Sequence, residues 1–151
     1  MSRQSDPSHQ TQSALAEVRN IYVDLARRPI ERNCLRQSQC CHFKLTGRTP
    51  SVTKGEVLLA AKAVRATGRK ALPVNADGSC PMLQPETGNC LIYDARPFGC
   101  RTHFCAAAGG PYARKDVLDL IRRLESVDFA LNGQGARALQ AAVEEALEEM
   151  H

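Results

Sequence analysis

The sequence has no tryptophan, only seven aromatic residues, and no apolar run that approaches the roughly 18 residues of a membrane-spanning helix. Its first residues, MSRQSDPSHQTQS, are polar and lack the apolar stretch of a secretory signal. These absences argue against a membrane protein and against a secreted one. We therefore expect a cytoplasmic chain, in a compartment that keeps thiols reduced.

The net charge of the chain is +4 and is unevenly distributed. Residues 141–151 contain four glutamates and no Lys or Arg, so the preceding residues carry about +8. A basic surface attracts nucleic acids and acidic proteins. No basic helix stripe or aromatic platform accompanies the charge, which argues against nucleic-acid binding. A protein partner of unknown kind stays open.

Helical periodicity is present in four segments of this 151-residue chain, which has the length of one ordinary domain. The segments are residues 13–28, 53–68, 114–131 and 136–150, and residues 1–12 are expected to form a disordered tail. Thr53 and Glu56 have the spacing of a capping box, and Gly68 is a plausible stop. The predicted buried faces consist of Leu15, Val18, Ile21, Tyr22, Leu25, Val57, Leu58, Ala61, Val64, Val117, Leu120, Ile121, Leu124, Val127, Leu139, Val143, Leu147 and Met150.

Between the second and third helices, residues 69–113 have no helical period. Within them, CPML and CLIY flank QPETGN, whose turn-forming residues predict a short β-hairpin. The expected fold is therefore mainly α, a single domain with a small cysteine-rich β-hairpin or irregular metal-binding segment. We place this domain at residues 13–151, with a metal-binding core at 34–105 and a C-terminal helical pair at 114–150.

Thiols are abundant for a reduced compartment, and their odd number argues against a closed disulfide framework. All of them lie in predicted loop or hairpin regions, whereas cysteines that serve as core residues would occupy apolar helix faces. Turns let several thiolates converge on one metal, and thiolates are soft donors that suit zinc, copper(I) and iron–sulfur centres. The predicted metal ligands are Cys34, Cys40, Cys41, Cys80, Cys90, Cys100 and Cys105.

The cysteine spacing indicates a metal without choosing which one. Zinc knuckles have paired C-x₂₋₄-C spacing, and only Cys100 and Cys105 come close to it. An iron–sulfur cluster spreads its thiolates over several iron atoms and tolerates irregular spacing, so we favour iron, with zinc as the close alternative. Cys40 and Cys41 are adjacent, and successive side chains diverge, so one of the pair is expected to bind while the other packs, binds a second metal or does redox chemistry.

Four further side chains near the thiols are candidate cofactor-binding residues. His42 and His103 each lie close to cysteines in the sequence, and both are alternatively ordinary loop histidines. Arg96 and Arg101 flank Cys100, where positive charge would lower the pKa of the thiol and stabilise a thiolate centre; both are alternatively ordinary surface or core-capping arginines. Pro97 is expected to open a short helical turn that carries this cysteine.

These residues resemble a known family. The string CLIYDARPFGCR at residues 90–101 and the element CPML at 80–83 are similar to motifs of the YkgJ-type cysteine-cluster family. Residues 34–41 resemble the family's upstream signature, C-x-x-C-x-x-C-C. The resemblance covers roughly residues 34–105 and implies a domain that chelates zinc or iron.

The chain departs from this family at Gln37, where the second cysteine of the upstream signature would fall. If the family's thiols form one four-ligand site with spares, the loss is harmless. If all of them are ligands, either His42 or His103 substitutes or one site is incomplete here. A related cysteine cluster in flagellin lysine methylases implies an iron–sulfur centre, but those enzymes are larger and nothing here resembles a separate substrate domain.

Three functions stay open at this point. The first is a small metal-binding protein that holds iron or zinc. The second is a redox or group-transfer enzyme, or a component of one, which would need an open coordination position or an exposed thiol of low pKa. The third is a basic interaction module. We assign no catalytic residue from the sequence.

Overall fold

Helices dominate the structure, a computed structural model that describes residues 7–29, 50–84, 86–87, 89–102 and 112–150. The predicted mainly α fold is confirmed. In chain order the helices are α1 (Pro7–Ala26), α2 (Lys54–Ala66), α3 (Phe98–Thr102), α4 (Arg114–Ala130) and α5 (Leu139–Glu149). A 3-10 turn at Tyr93–Ala95 precedes α3. Within the described residues, no helix is both long and apolar enough to span a membrane.

Helix α1 begins at Pro7, so residues 7–12 of the predicted tail are helical. Proline suits a first helical position, because its missing N–H would have no intrahelical partner there. Residues 8–10 are exposed, and a polar first turn gives no apolar periodicity from which to predict a helix. The predicted apolar face of α1 is buried throughout.

Helix α2 is the centre of the fold and packs against α1, α4 and α5. The predicted capping pair is present, since the N–H of Thr53 donates to Glu56 Oε2 at 2.9 Å. Gly68, at φ +90°, follows the helix as predicted. Because three helices surround α2, its burial extends beyond the predicted face to Leu59 and Ala60.

The two C-terminal helices complete the core on different sides of α2. Helix α4 packs mainly against α1, and α5 packs mainly against α2. The predicted faces are largely buried, but Ile121 and Leu58 are only half-buried, and Met150 is 41% exposed rather than buried. Met150 is the residue after the last turn of α5 and contacts α2 only through its carbonyl oxygen among the described hydrogen bonds, whereas Ala142 and Ala146 are buried.

A two-stranded antiparallel sheet, which the sequence did not predict, joins distant parts of the chain. Strand β1 (Ser51–Val52) pairs with β2 (Arg137–Ala138), with Ser51 opposite Ala138 and Val52 opposite Arg137. This pairing delays the start of α5 to Leu139, three residues after the predicted start. Strand β1 also contacts α3, so it ties the start of α2 to the segment that carries Cys100.

Buried apolar side chains form two clusters that meet at α2. The α1–α4 cluster contains Leu15, Val18, Ile21, Tyr22, Leu25, Leu59, Phe98, Val117, Leu120, Leu124 and Val127. The thiol-side cluster contains Val52, Val57, Ala60, Ala61, Val64, Cys80, Met82, Leu83, Ile92, Leu139, Ala142, Val143, Ala146 and Leu147.

Candidate metal centre

Three of the seven predicted ligands lie in the described part of the chain, and all three contact the thiol-side cluster. Cys80 is a buried member of that cluster, and Cys90 and Cys100 pack against it while partly buried. They come from three separate places: a turn, a bridge residue and the short helix α3. The other predicted ligands, together with His42 and His103, lie outside the described residues; they are Cys34, Cys40, Cys41 and Cys105.

The turn that ends at Cys80 is held by side-chain hydrogen bonds. The amide nitrogen of Asn75 donates to the carbonyl oxygens of Cys80, at 2.7 Å, and Leu83, at 3.0 Å. Asp77 Oδ1 accepts from both the N–H and the hydroxyl of Ser79, and Gly78 takes the positive φ of +74° that this turn requires. The turn that carries Cys80 is thus held by hydrogen bonds from residues within five positions of it.

Cys90 lies opposite Leu83 in a single antiparallel bridge. The N–H of Leu91 donates to the carbonyl of Met82 at 2.6 Å, and the N–H of Gln84 donates to the carbonyl of Asn89 at 2.9 Å. The predicted hairpin is therefore a turn closed by one bridge, without flanking strands among the described residues. It nevertheless places Cys80 and Cys90 on the same apolar cluster.

Cys100 lies on α3, the short helical turn expected after Pro97. The N–H of Cys100 donates to the carbonyl of Pro97 at 3.0 Å. The N–H of Phe98, the first residue of α3, donates to Glu56 Oε1 at 2.6 Å. Glu56 is 2% exposed, so a buried carboxylate of α2 holds the start of the helix that carries Cys100.

The two predicted cofactor-binding arginines hold the segment around Cys100. Arg101 donates to the carbonyls of Arg96 and Asp94, both at 2.6 Å, and its guanidinium lies 4.1 Å from the centre of the Tyr22 ring. Arg96 donates to the carbonyl of Tyr93, and its guanidinium lies over the Tyr93 ring, 4.0 Å from the ring centre. These contacts give both arginines a structural role, and contact with a cofactor stays a prediction.

Burial dominates the electrostatics beside Cys100. It raises the pKa of Glu56, against the effect of hydrogen bonds from Thr53, Phe98 and Tyr22. Burial also raises the pKa of Tyr22 far above its usual value, and the nearby charge of Glu56 adds to that shift. The pKa of Arg101 is lowered, again mainly by burial, whereas a negative charge on Cys100 acts in the opposite direction.

Sequence reasoning missed the second role of Glu56. The capping-box spacing explains the contact of Oε2 with Thr53, but Oε1 accepts from Phe98 and from the Tyr22 hydroxyl, at 3.3 Å. Tyr22 itself was predicted only as part of an apolar face. One signal was available, because a buried tyrosine hydroxyl needs a hydrogen-bond partner.

The described side chains alone do not assemble a complete metal site. Among residues 7–29, 50–84, 86–87, 89–102 and 112–150, no group of three or more His, Cys, Asp or Glu side chains is arranged to hold a metal ion.

A comparison with protein families identifies the domain. The model of the CxxCxxCC family, described as a "putative zinc- or iron-chelating domain", matches residues 33–121. The chain belongs to this family. The matched range contains all seven cysteines, and the predicted resemblance is confirmed. Searches among curated proteins and among solved structures found no significant match.

The donor set is chemically suited to the metals that define the CxxCxxCC family. Thiolates are preferred ligands of both zinc and iron–sulfur centres. The three described thiols come from separate elements of the chain yet contact one apolar cluster.

Proposed function

We propose that this protein is a small cytoplasmic metal-binding protein whose cysteines hold iron, as an iron–sulfur cluster, with zinc as the alternative. The observation that supports this most directly is the packing of Cys80, Cys90 and Cys100 against one apolar cluster. In the proposal, thiols from outside the described residues complete the site. Family membership supports chelation of one of the two metals.

The spacing of the described thiols favours iron. Nine residues separate Cys80 from Cys90, and nine separate Cys90 from Cys100. A structural zinc site draws its ligands in close pairs, two to four residues apart. A cluster distributes its ligands over several iron atoms, so each ligand can come from a separate turn.

Each residue has a defined part in the proposed site. Cys80, Cys90 and Cys100 would bind as thiolates, and Arg101 would lower the free energy of the Cys100 thiolate. Apolar side chains of the thiol-side cluster would exclude water from the sulfur atoms. When bound, an iron–sulfur cluster supplies one-electron transfer, and a zinc ion supplies a structural cross-link between the turns.

The metal is tested by anaerobic purification without added metal, followed by an absorption spectrum, elemental analysis and assay of acid-labile sulfide on the same sample. We expect a brown protein with iron and sulfide in stoichiometric amounts. A colourless protein with stoichiometric zinc would support metal chelation and would identify the metal as zinc instead of iron. A folded protein without metal would overturn the proposal.

Individual ligands are tested by substitution. We expect Cys90→Ser and Cys100→Ser to lower both the bound metal and the free energy of unfolding, because each removes one thiolate. Val74→Ser is a suitable control, since this side chain lies in the same segment as Cys80 but is 92% exposed. Full metal occupancy in both cysteine variants would exclude these two thiols as ligands.

A further inference from the structure

The residues on both sides of Cys100 in the chain contact the helical core. Two residues before it, the N–H of Phe98 donates to Glu56 Oε1. One residue after it, the guanidinium of Arg101 lies over the ring of Tyr22. The Tyr22 hydroxyl donates to the same oxygen, Glu56 Oε1, and so connects these two contacts. We refer to Glu56, Tyr22 and Arg101 as the Cys100 clamp.

The carboxylate of Glu56 has more partners than helix capping requires. Oε2 accepts from the N–H and the hydroxyl of Thr53, both at 2.9 Å, which satisfies the capping function. Among the described residues, Oε1 accepts from Phe98 and Tyr22, which both lie outside α2. A buried carboxylate is stable only when its oxygens are hydrogen-bonded, and removing it would leave the buried N–H of Phe98 unsatisfied.

Helix α3 needs this support because it has only five residues. A helix of that length is unstable by itself, and its position depends on contacts with the rest of the protein. The other two described thiols are held differently. The hydrogen bonds described above around Cys80 and Cys90 join residues 75–91, whereas the neighbours of Cys100, Phe98 and Arg101, contact residues 42 or more positions away in the chain.

We propose that Glu56 and Tyr22 are positioning residues that fix the Cys100 thiol relative to the helical core, so that it is placed to bind the metal. This inference rests on the proposed function for the metal, but the contacts it concerns are between protein groups and can be tested without metal. Loss of the clamp releases α3 and therefore affects Cys100 more than Cys80 or Cys90.

The test uses the reduced, metal-free full chain. Each cysteine is labelled with a maleimide, and the rates are resolved by mass spectrometry of peptides. Tyr22→Phe keeps the ring under Arg101 and removes only the hydroxyl, and Glu56→Ala removes the acceptor of the Phe98 N–H. We expect both variants to raise the labelling rate of Cys100 relative to that of Cys90, by about threefold to tenfold, as the loss of one net hydrogen bond implies. Zinc or iron loaded into the same variants should pass to a chelator faster by a similar factor.

The matched control is Asp128→Asn. Asp128 is a second buried carboxylate, 6% exposed, and it accepts from the N–H of Lys54 at the start of the same helix. Its substitution disturbs α2 and lowers stability without touching the clamp, so it should leave the Cys100-to-Cys90 rate ratio unchanged. A general loss of stability would raise the labelling of all cysteines together.

The proposal requires a Cys100-selective increase in both clamp variants. It is wrong if either variant leaves the rate ratio unchanged, or if Asp128→Asn raises it equally. If the proposed function is wrong, the wild-type protein binds no metal. The ratio of the Cys100 and Cys90 labelling rates still decides whether the clamp positions Cys100.

Discussion

Gly133→Ala gives the sharpest test of how α2 is anchored. The carboxylate of Asp128 accepts from the N–H of Lys54 at 2.8 Å and from the N–H of Gly135 at 3.0 Å, so it joins the start of α2 to the loop after α4. Gly133 lies directly against this carboxylate. A methyl group at residue 133 would stand 2.1 Å from Asp128 Oδ1, so the carboxylate would have to move.

The magnitude follows from the two hydrogen bonds that such a movement breaks. A hydrogen bond to a charged group contributes about 1.5–3 kcal/mol, so losing one or both costs about 1.5–6 kcal/mol. The lower conformational entropy of alanine in the unfolded chain offsets about 0.4–1 kcal/mol of this. We therefore expect Gly133→Ala to lower the free energy of unfolding by about 1–5 kcal/mol.

Urea denaturation of the reduced, metal-free protein, followed by circular dichroism, measures this effect. Gly99→Ala is the control, because a methyl group there comes no closer than 3.7 Å to its nearest neighbour. The decisive experiment repeats Gly133→Ala in an Asp128→Ala background, where we expect a loss below about 1 kcal/mol. An equal loss in both backgrounds would refute the argument that the effect acts through Asp128.

Three further predictions concern α1, α2 and α4. Burial raises the pKa of Glu56 above the ordinary 4.5, so the folded protein binds this proton more tightly than the unfolded chain. The free energy of unfolding should therefore fall as the pH rises from that ordinary value through the raised pKa. Glu56→Gln should remove this pH dependence. If urea titrations show the same difference in stability between the two proteins at every pH, the prediction is wrong. Gly55→Ala should lower the free energy of unfolding by about 1–3 kcal/mol through overpacking, because the added methyl group would lie 2.8 Å from Val127 Cγ1. An unchanged urea midpoint would exclude that contact. Arg123→Ala should cost no more than about 1 kcal/mol, because its ion pairs with Glu17 and Asp24 are partly exposed, and a larger loss that persists in high salt would show a different role.

Local sequence patterns predicted the helical part of the fold well. The apolar face of α1, including Val18 and Ile21, repeats at helical spacing and is fully buried. The Thr53–Glu56 capping pair and the helical turn after Pro97 are also present as predicted. Each of these features depends on residues within a few positions of one another, so the information lies within one sequence window.

Contacts between distant parts of the chain could not be predicted in this way. The hydrogen bond of Phe98 to Glu56 spans 42 residues, and that of Lys54 to Asp128 spans 74. Strands β1 and β2 have only two residues each, too few for an alternating pattern to be visible. From the sequence alone, a buried Glu or Asp cannot be distinguished from an exposed one unless its partners are known.

The candidate site was predictable only in part. Its family was predicted from the motifs around Cys80, Cys90 and Cys100 and is confirmed over residues 33–121. The full ligand set stays a prediction, because ligands drawn from several turns are brought together by the tertiary structure. The structure adds Glu56 and Tyr22, which hold the turn that carries Cys100 and which no cysteine motif contains.

X-ray absorption at the metal edge of the anaerobically purified protein tests the central claim most directly. The account predicts a first shell made of sulfur, with iron neighbours at longer distance for a cluster, or a sulfur shell at about 2.3 Å for zinc. It also predicts that Cys100→Ser reduces the number of sulfur ligands. A first shell of oxygen and nitrogen without sulfur would contradict the assignment of these thiols as the metal ligands.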